Sequence, residues 1–351
     1  MTEDMSDMWA GLQGSIDATP HYILTDTIWL IDPDGGGDYT SLSEADAALD
    51  NVFILSAATL TIKLVDGTHQ LNEPITLDHP NGDRIVLEGN EADPSAVILD
   101  FENSHGLEIH DGNTISKIRN LTILGDRDYN GLSVQNNSSV STENLSIQGF
   151  LSCILVYYGG VVAIGGETSL TNCIYGASVS TGSILKNITG TPIMNNNEEH
   201  GLYIAKGSLY DGQNIQLNNN GSHGLQVIVN SLAFIDNLEA QNNSGSGASG
   251  WFDSSLYLKY VNASNNGSNG LSMSYDSTLN AFMSQVEGNS AHGVLVQYFS
   301  YVILADSNIA NNAHYGSRAV YGSAANVSGA VFEENVVDGN DTDESSYLFS
   351  P

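Results

Sequence analysis

Short segments in which apolar and polar residues alternate recur along the chain, and each segment opens with a glycine. The segment at Glu199 reads EHGLYIA, and the segment at Ala291 reads AHGVLVQ. The two apolar side chains after each glycine are separated by one residue, so they face the same side of an extended strand. The pattern therefore predicts a β-strand after each such glycine. These glycines are Gly106, Gly131, Gly201, Gly224, Gly270, Gly293 and Gly316.

The glycine-led segments repeat at a regular interval. Gly201 and Gly224 are 23 residues apart, and the same interval separates the last three glycines of the series. The gap after Gly131 has room for about two further repeats, and the stretch around Trp251 reads as one short, irregular repeat. Each repeat holds short strands joined by Asn, Gly and Ser, which leaves no room for helices between the strands. Stacked repeats bury their apolar faces only against their neighbours, so the sequence predicts an all-β solenoid.

A repeat of this length, with inward Leu, Ile and Val, an Asn-rich turn and a glycine-led strand, resembles the right-handed parallel β-helix of the pectin-lyase-like superfamily. The resemblance covers about residues 60–335 and concerns the architecture more than any catalytic motif. Within the superfamily, the chain looks most like phage tailspike and tail-fibre proteins. The resemblance implies an outer face on which side chains of successive turns stand about 4.8 Å apart, which suits a polysaccharide.

The segment IDPDGGGDYTSLSEADAALDN, at residues 31–51, predicts a short strand, a Gly-rich turn and an amphipathic helix. Ser41 or Ser43 suits the helix N-cap, and Glu44 lies near the positive end of the helix dipole. The segment resembles the opening of pectin methylesterases and phage tailspikes, where such a helix plugs the end of the coil. We therefore expect an arm for attachment to other virion tail proteins (1–30), a strand with the capping helix (31–59), the parallel β-helix (60–337) and an acidic tail (338–351).

Asparagine and histidine recur at fixed places in the repeats. Asn tolerates left-handed backbone, and stacked Asn side chains can form hydrogen bonds along a ladder, so we expect a structural role. His200 and His223 suggest a metal pair or a pH switch, but no third ligand is evident and a turn-stabilising role is favoured. The residues of these series are Asn218 to Asn220, Asn242, Asn243, Asn265, Asn266, Asn289, Asn311 and Asn312, with His105, His200, His223 and His292.

Cys153 and Cys173 are the only two cysteines, and each opens a CI segment one repeat from the other. Two cysteines are too few for a disulfide framework. The N-terminus, MTEDMSDMW, is acidic and lacks the order of a secretory signal, so synthesis in a reducing cytoplasm is expected. The sequence therefore predicts two stacked, buried thiols rather than a disulfide.

Charge narrows the classes of partner. The chain has 41 acidic and 9 basic residues, a formal net charge of −32. Nucleic acids and anionic membrane surfaces are therefore excluded as partners, and a polyanionic glycan would be repelled unless cations bridged the contact. The sequence has no apolar stretch long enough for a membrane span.

The catalytic motifs of related families do not occur in the chain. The QDT and DFIFG segments of pectin methylesterases, the Asp cluster with a nearby Arg or Lys of pectate lyases, and the DPH of alginate epimerases are all missing. The sequence LDHPNGD at Leu77 resembles the DPH motif of alginate epimerases only in part. Uronate lyase or esterase activity is therefore not expected, and neither a metal nor a cofactor is predicted.

Paired carboxylates next to aromatic residues are the best remaining candidates for chemistry. Asp253 follows Trp251 and Phe252, and Asp276 follows Tyr275 on the next repeat. A glycoside hydrolase needs one acid and one base or nucleophile, so these two are the predicted catalytic pair, with turn carboxylates as the alternative. The aromatic residues form the predicted sugar-binding set. The alternative is that the tyrosines pack at the edge of the core. It is favoured because Met273 and Val296, two residues before Tyr275 and Tyr298, are expected to point inward, and alternate residues of a strand share one face. The set comprises Trp251, Phe252, Tyr275, Tyr298 and Tyr321.

Three segments are apolar on both faces: CILVYYGGVVAIGG, VLVQYFSYVILA and LQVIVNSLAFI. A second apolar face indicates packing against another chain, and tailspike-like proteins are typically side-by-side trimers.

We expect a tailspike-like virion protein that recognises a host surface polysaccharide. Hydrolysis of that polysaccharide is the part of this prediction that is left open. The alternatives are a non-catalytic structural or adhesive virion or surface protein and a secreted carbohydrate-active enzyme. The expected location is the virion tail after synthesis in the host cytoplasm, with an extracellular location as the alternative.

Overall fold

Parallel strand pairing between one turn of the chain and the next organises the molecule. The computed structural model describes residues 22–342 and 346–349. It is a right-handed parallel β-solenoid of about 12 turns, which confirms the predicted fold class. Each turn runs through three sheets, here called A, B and C, which enclose one continuous apolar core.

Sheet A contains the glycine-led segments and has 12 strands. Leu225 and Val227 point into the core and are fully buried, as the alternation predicts. The interval around residue 248, expected to be irregular, instead forms a regular strand, Ala248–Trp251, in register with both neighbours. The strands are Ile75–Thr76, Leu107–Ile109, Asn130–Gln135, Ser152–Tyr157, Tyr175–Ser180, Leu202–Ala205, Leu225–Ile228, Ala248–Trp251, Leu271–Ser274, Val294–Gln297, Tyr315–Ala319 and Val337–Thr342.

Sheets B and C follow sheet A in each turn. The strands of sheet B alone are Thr27–Ile31, Leu60–Leu64, Ile85–Glu88, Val161–Gly165, Ile184–Asn187, Thr278–Phe282, Tyr301–Ala305, Ala324–Asn326 and Tyr347–Phe349. Those of sheet C alone are Gly67–Leu71, Val97–Phe101, Ser169–Thr171, Gln285–Glu287, Asn308–Ala310 and Val331–Glu333. Five longer strands bend at a left-handed residue and belong to both sheets: Thr114–Gly125, Ser139–Gln148, Leu209–Gln216, Leu232–Glu239 and Ser255–Asn262.

A buried asparagine ladder closes the corner between sheets C and A. The backbone N–H of Asn220 donates to Oδ1 of Asn243 at 2.9 Å, and its Nδ2 donates to the same oxygen at 3.0 Å. The same two bonds recur at 23-residue steps, which confirms the structural role predicted for the Asn runs. The ladder comprises Asn197, Asn220, Asn243, Asn266, Asn289, Asn312 and Asn335.

The ladder explains the glycine at the start of several sheet A strands, such as Gly224 before Leu225–Ile228. A Cβ atom on Gly224 would lie 2.8 Å from the carbonyl oxygen of Leu217 and 2.9 Å from Nδ2 of Asn243. A carbon atom that forms no hydrogen bond cannot approach its neighbours this closely, so a larger residue would displace either the backbone or the ladder. The repeated glycine and the repeated asparagine are therefore two halves of one packing arrangement.

One turn replaces this arrangement with a disulfide bond. Cys153 occupies the glycine position, in register with Gly131 and Gly176, and Cys173 occupies the asparagine position next to Asn197. Their sulfur atoms are bonded, so the prediction of two free thiols is wrong. The sequence offered no distance between the two residues, whereas the fold brings their Cα atoms to 5.8 Å.

The predicted capping helix is confirmed as α1, Leu42–Leu49. Oγ of Ser41 accepts the N–H of Glu44, and Glu44 in turn accepts the N–H of Thr40 at 2.9 Å. Leu42 and Leu49 are buried against the first turns of the solenoid. None of the helices in the described part of the chain is long and apolar enough to cross a membrane.

The paired strands extend beyond the expected limits of the β-helix at both ends. Thr27–Ile31 pairs with Leu60–Leu64, so sheet B begins within the segment assigned to the arm, and residues 1–21 lie outside the described residues. Val337–Thr342 pairs with Tyr315–Ala319, so sheet A continues into the segment assigned to the tail. Tyr22–Leu24 and Val52–Ile54 form a separate two-stranded ribbon beside α1. Five residues of the expected tail, 343–345 and 350–351, also lie outside the described range.

Candidate functional site

The corner between sheets A and B carries a stack of four aromatic rings, here called the aromatic column. It consists of Phe252, Tyr275, Tyr298 and Tyr321 on four successive turns. The ring centroids are separated by 4.8, 4.6 and 4.8 Å, and neighbouring planes differ by 14°, 6° and 9°. The spacing equals one strand separation because the sheet A strands before the corner pair in unbroken register.

Part of each ring remains open to solvent. Flat rings in contact approach to about 3.5–4 Å, which is less than the separation between turns, so the rings must overlap with an offset. Phe252, Tyr275 and Tyr321 are 44%, 41% and 54% exposed. The column therefore exposes parts of ring faces, ring edges and hydroxyl groups, once per turn, along the solenoid axis.

The corner residues have left-handed backbone, which is unfavourable for aromatic residues. Their φ angles are 55° for Phe252, 56° for Tyr275, 52° for Tyr298 and 57° for Tyr321. This conformation costs about 1–2 kcal/mol per residue, whereas each offset ring pair contributes about 0.5–1.5 kcal/mol. Stacking of the three ring pairs therefore offsets at least part of the backbone cost of the four corner residues, while part of the ring surface stays open to solvent.

The structure corrects the parity argument that favoured packing of these tyrosines at the core edge. Met273 and Val296 point inward as expected. However, two consecutive left-handed residues follow each of these strands, for example Tyr275 and Asp276, and they end the strict alternation of faces. The tyrosines consequently lie outside the core.

The predicted carboxylate pair lies next to the column. Asp253 and Asp276 are the second corner residues of consecutive turns, with φ of 59° and 58°, and both are exposed. The N–H of Asp253 donates to the carbonyl of Tyr275, and that of Asp276 to the carbonyl of Tyr298, at 2.9 and 3.0 Å. The structure thus brings the two residues to adjacent turns, about 4.8 Å apart along the axis. Their catalytic role remains a prediction.

Trp251 flanks the column from the end of a sheet A strand. Its ring meets that of Phe252 edge to face, with the centroids 6.3 Å apart, and the side chain is 36% exposed. All five predicted sugar-binding residues therefore lie on one corner of the solenoid, on four consecutive turns.

A second exposed aromatic row, on the outer face of sheet B, was missed by the sequence analysis. The rings of Phe234 and Tyr257 stack with centroids 4.9 Å apart, and Leu232 and Tyr301 lie on the same face. The signal was available, because Phe234 and Tyr257 are also 23 residues apart. This face confirms that the strand of segment LQVIVNSLAFI is apolar on both sides.

The histidine row stabilises turns, as predicted. Nδ1 of His200 accepts the N–H of His223 at 3.2 Å, and Nδ1 of His223 accepts the N–H of Ser246 at 2.8 Å. His105 and His292 accept backbone N–H groups of the following turn in the same way. Burial and the nearby His223 lower the pKa of His200 to about 4, and burial lowers the pKa of His223. Both imidazoles are therefore neutral acceptors at neutral pH.

The LDHPNGD segment has a structural role in the first turns. Nε2 of His79 lies 3.2 Å from the carbonyl oxygen of Val52, and its Nδ1 accepts the N–H of Asn81 at 3.0 Å. Both ring nitrogens are thus engaged with the backbone. In residues 22–342 and 346–349, no cluster of three or more His, Cys, Asp or Glu side chains is placed to hold a metal ion.

Comparisons with known proteins agree with this architecture. A sequence family described as "Right handed beta helix region" matches residues 200–347, while no curated protein sequence matches the chain. A double mutant of the periplasmic alginate epimerase AlgG superposes with a TM-score of 0.56 and 13% identity, covering 83% of this chain and 84% of the epimerase. The A-module of the Azotobacter vinelandii mannuronan C-5 epimerase AlgE4 gives a TM-score of 0.53 and 14% identity, with 88% and 90% covered. The chain therefore has the right-handed parallel β-helix fold that these proteins share.

Proposed function

We propose that the protein binds a polysaccharide along the aromatic column. The observation that carries this proposal is the column itself: four stacked, partly exposed rings on left-handed residues of one corner. Partly exposed aromatic faces bind the apolar faces of sugar rings, and the three tyrosine hydroxyls supply hydrogen-bonding groups at regular intervals. A linear polymer matches a surface that repeats once per turn.

The fold and the charge narrow the class of ligand. The structural neighbours are named as epimerases of alginate and mannuronan, which are polysaccharides, and this likeness supports a glycan as the polymer. The net charge of −32 opposes a polyanionic glycan. A neutral chain, or an acidic one bridged by cations, is therefore the proposed ligand.

The proposal extends to the role of the protein as a tailspike-like virion component that attaches to a host surface glycan. The exposed apolar face of sheet B supports side-by-side packing with further copies, for which we retain a homotrimer. Hydrolysis by Asp253 and Asp276 is supported by their position at one corner on adjacent turns, where both carboxylates can reach the same bound glycan.

One observation favours the second candidate, a non-catalytic adhesive surface protein. Asp253 and Asp276 are exposed corner residues with left-handed backbone, a conformation that Asp adopts more readily than most residues. Turn geometry alone thus accounts for both carboxylates. The disulfide favours an oxidising environment, which supports an extracellular location for this candidate and for a secreted enzyme alike.

The column can be tested by substitution with a residue that suits the corner. Tyr275→Asn and Tyr298→Asn remove rings but keep a residue that tolerates left-handed backbone, so both variants should fold. We expect the double variant to lose at least about tenfold in affinity for a retained glycan, which is about 1.4 kcal/mol. Affinity electrophoresis through neutral and acidic capsular polysaccharides and lipopolysaccharides measures the effect.

Tyr158→Asn is the matched control. Tyr158 is also a left-handed, exposed residue of the same corner, on a turn outside the column, so its loss should leave retention unchanged. Equal retention of the double variant and the parent would refute binding at the column. The same mixtures are assayed for new reducing ends, and cleavage that survives both Asp253→Asn and Asp276→Asn would remove the catalytic assignment.

A further inference from the structure

The end of the solenoid next to α1 carries an apolar cavity of about 580 Å³. Leu49 of the helix, Val52 and Phe53 of the ribbon and Pro80 of the first turn form its wall, together with Ile23. Ile23 and Phe53 are 68% and 48% exposed, so large apolar side chains are open to water around the cavity. An exposed apolar cavity of this kind marks an interaction surface.

The rim of the cavity is negatively charged. Asp50 and Asp78 line it, and Asp46 lies on α1 within electrostatic reach of both. Burial and the repulsion from Asp78 and Asp50 raise the pKa of Asp46 to about 7. These three carboxyl groups therefore interact with one another unfavourably when all are ionised.

Other titratable groups nearby do not compensate this charge. His79 lines the cavity, but its two ring nitrogens are engaged with backbone groups of Val52 and Asn81. Arg84 donates to the carbonyl of Ile54 and lies 3.8 Å from the carboxylate of Asp83. A group that brought positive charge to the rim would relieve the repulsion.

Neither this chain's own N-terminus nor a second copy meets that requirement. Residues 1–21 contain four acidic residues and no Lys or Arg. A second copy docked through the same surface would place a further set of the carboxyl groups of Asp46, Asp50 and Asp78 against this rim. Like charges placed together at an interface cost several kcal/mol, so charge complementarity selects a different molecule.

We infer that this end of the solenoid docks a different protein, through an apolar side chain that enters the cavity and flanking Lys or Arg residues that meet Asp46, Asp50 and Asp78. The apolar anchor supplies buried area, and the basic flanks neutralise the rim. This interface lies on the first turns, several turns from the aromatic column, so a bound partner leaves the column accessible. Its failure would leave the proposed glycan binding untouched.

The test uses the full chain and fluorescein-labelled pentapeptides as probes. Lys-Lys-Leu-Lys-Lys combines the anchor with the charge, Glu-Glu-Leu-Glu-Glu reverses the charge, and Lys-Lys-Gly-Lys-Lys removes the anchor. Fluorescence anisotropy at low salt should show binding of the first peptide at least about tenfold tighter than of either control. Equal binding of the leucine peptides would refute the inference.

Two variants locate the site. Phe53→Ser opens the anchor pocket, and the combined Asp46→Asn, Asp50→Asn and Asp78→Asn variant removes the rim charge; each should weaken binding at least about tenfold. At pH of about 8.5, where Asp46 is ionised, the control triple variant Glu239→Gln, Glu287→Gln and Glu333→Gln changes the net charge by the same amount on sheet C and should bind as the parent does. If it weakens binding as much, the effect is one of net charge and the site is wrong.

The remaining occupants are distinguished by a photo-cross-linking residue at position 53. Cross-links from this position to the Lys-Lys-Leu-Lys-Lys peptide support the inference. Cross-links to residues 1–21 of the same chain, or to a second copy, would assign the cavity to those occupants and overturn it.

Discussion

At the scale of single residues, the solenoid is maintained by pairs of side chains that share one volume. A glycine at the start of a sheet A strand and the ladder asparagine beside it form such a pair, for example Gly224 and Asn243. Cys153 and Cys173 occupy the same two positions in their turn, and the disulfide fills the space of the carboxamide. Sγ of Cys173 accepts the N–H of Phe150 at 3.4 Å, as an asparagine oxygen does elsewhere.

This equivalence predicts that the cysteine pair can be replaced by the standard pair. The double variant Cys153→Gly with Cys173→Asn should fold, because the ladder hydrogen bonds offset much of the roughly 3 kcal/mol expected for a disulfide that closes a short loop. Urea unfolding with and without dithiothreitol measures this, and only the parent should respond to the reductant. Cys173→Asn alone should be the least stable, because Cβ of Cys153 then occupies the space of the asparagine. A double variant no more stable than this single variant would contradict the equivalence.

The histidine row predicts a pH dependence of stability. The pKa of His200 is about 4 when folded and lies near 6.5 when unfolded, so the neutral form is favoured by folding. Its contribution is therefore fully present above pH of about 6.5 and is lost as the pH falls toward 4, by about 2–3 kcal/mol at most.

His200→Asn should remove part of this acid sensitivity. An asparagine can accept the same hydrogen bond without titrating: Oδ1 of Asn269, at the equivalent position of another turn, accepts the N–H of His292 at 3.1 Å. Urea midpoints measured from pH 7 to pH 4.5 should fall less for the variant than for the parent. Parallel curves for the two proteins would show that His200 does not titrate as proposed.

At the scale of elements, α1 ends the apolar core but leaves Asp46 in an unfavourable position. The folded pKa of about 7 lies above the ordinary value of 3.8, so folding favours the protonated carboxyl. The associated stability is present below pH of about 4 and is lost as the pH rises through 7. The helix is thus the part of the solenoid whose packing is weakened at alkaline pH.

Asp46→Asn should therefore stabilise the protein at pH 8 and leave it unchanged at pH 4. Thermal unfolding at the two pH values measures the difference, which we expect to be about 1–2 kcal/mol after screening by solvent. Asp211→Asn, which replaces an exposed carboxylate on sheet B, is the control for the loss of one acidic residue. The same gain at both pH values would exclude the ionisation of Asp46 as its cause.

The elements also show how far the sequence predicts this protein. Alternation such as that of Leu225 and Val227 gives the core face of each strand, and Ser41 with Glu44 gives the start of α1. The turn at Ala248 was misread because its strand, ASGW, has small residues where other turns have Leu or Val. The outward position of Tyr275 depends on backbone angles at the corner, and the disulfide depends on a distance across the turn. Neither quantity is contained in a local pattern.

At the scale of the whole molecule, charge and the apolar face of sheet B act in opposite directions on self-association. Each copy carries a net charge of −32, which repels other copies at low salt. Leu232, Phe234, Tyr257 and Tyr301 form an exposed surface that favours association. Salt screens the first contribution and leaves the second largely intact.

We therefore expect sedimentation equilibrium to show a homotrimer whose share rises as NaCl is increased. Phe234→Ser with Tyr301→Ser should shift the population to monomer, whereas Val336→Ser, an exposed apolar residue outside the three segments that are apolar on both faces, should not. A monomer at every salt concentration would remove the proposed side-by-side assembly.

The corner asparagines, the glycines and the ring stack all recur with the same 23-residue register. A copied segment of that length re-enters every ladder in phase, whereas a turn of another length, such as the 25 residues from Gly176 to Gly201, has to place its extra residues outside the paired strands. Evolutionary change in the reach of the aromatic surface is thus confined to discrete steps of one ring each.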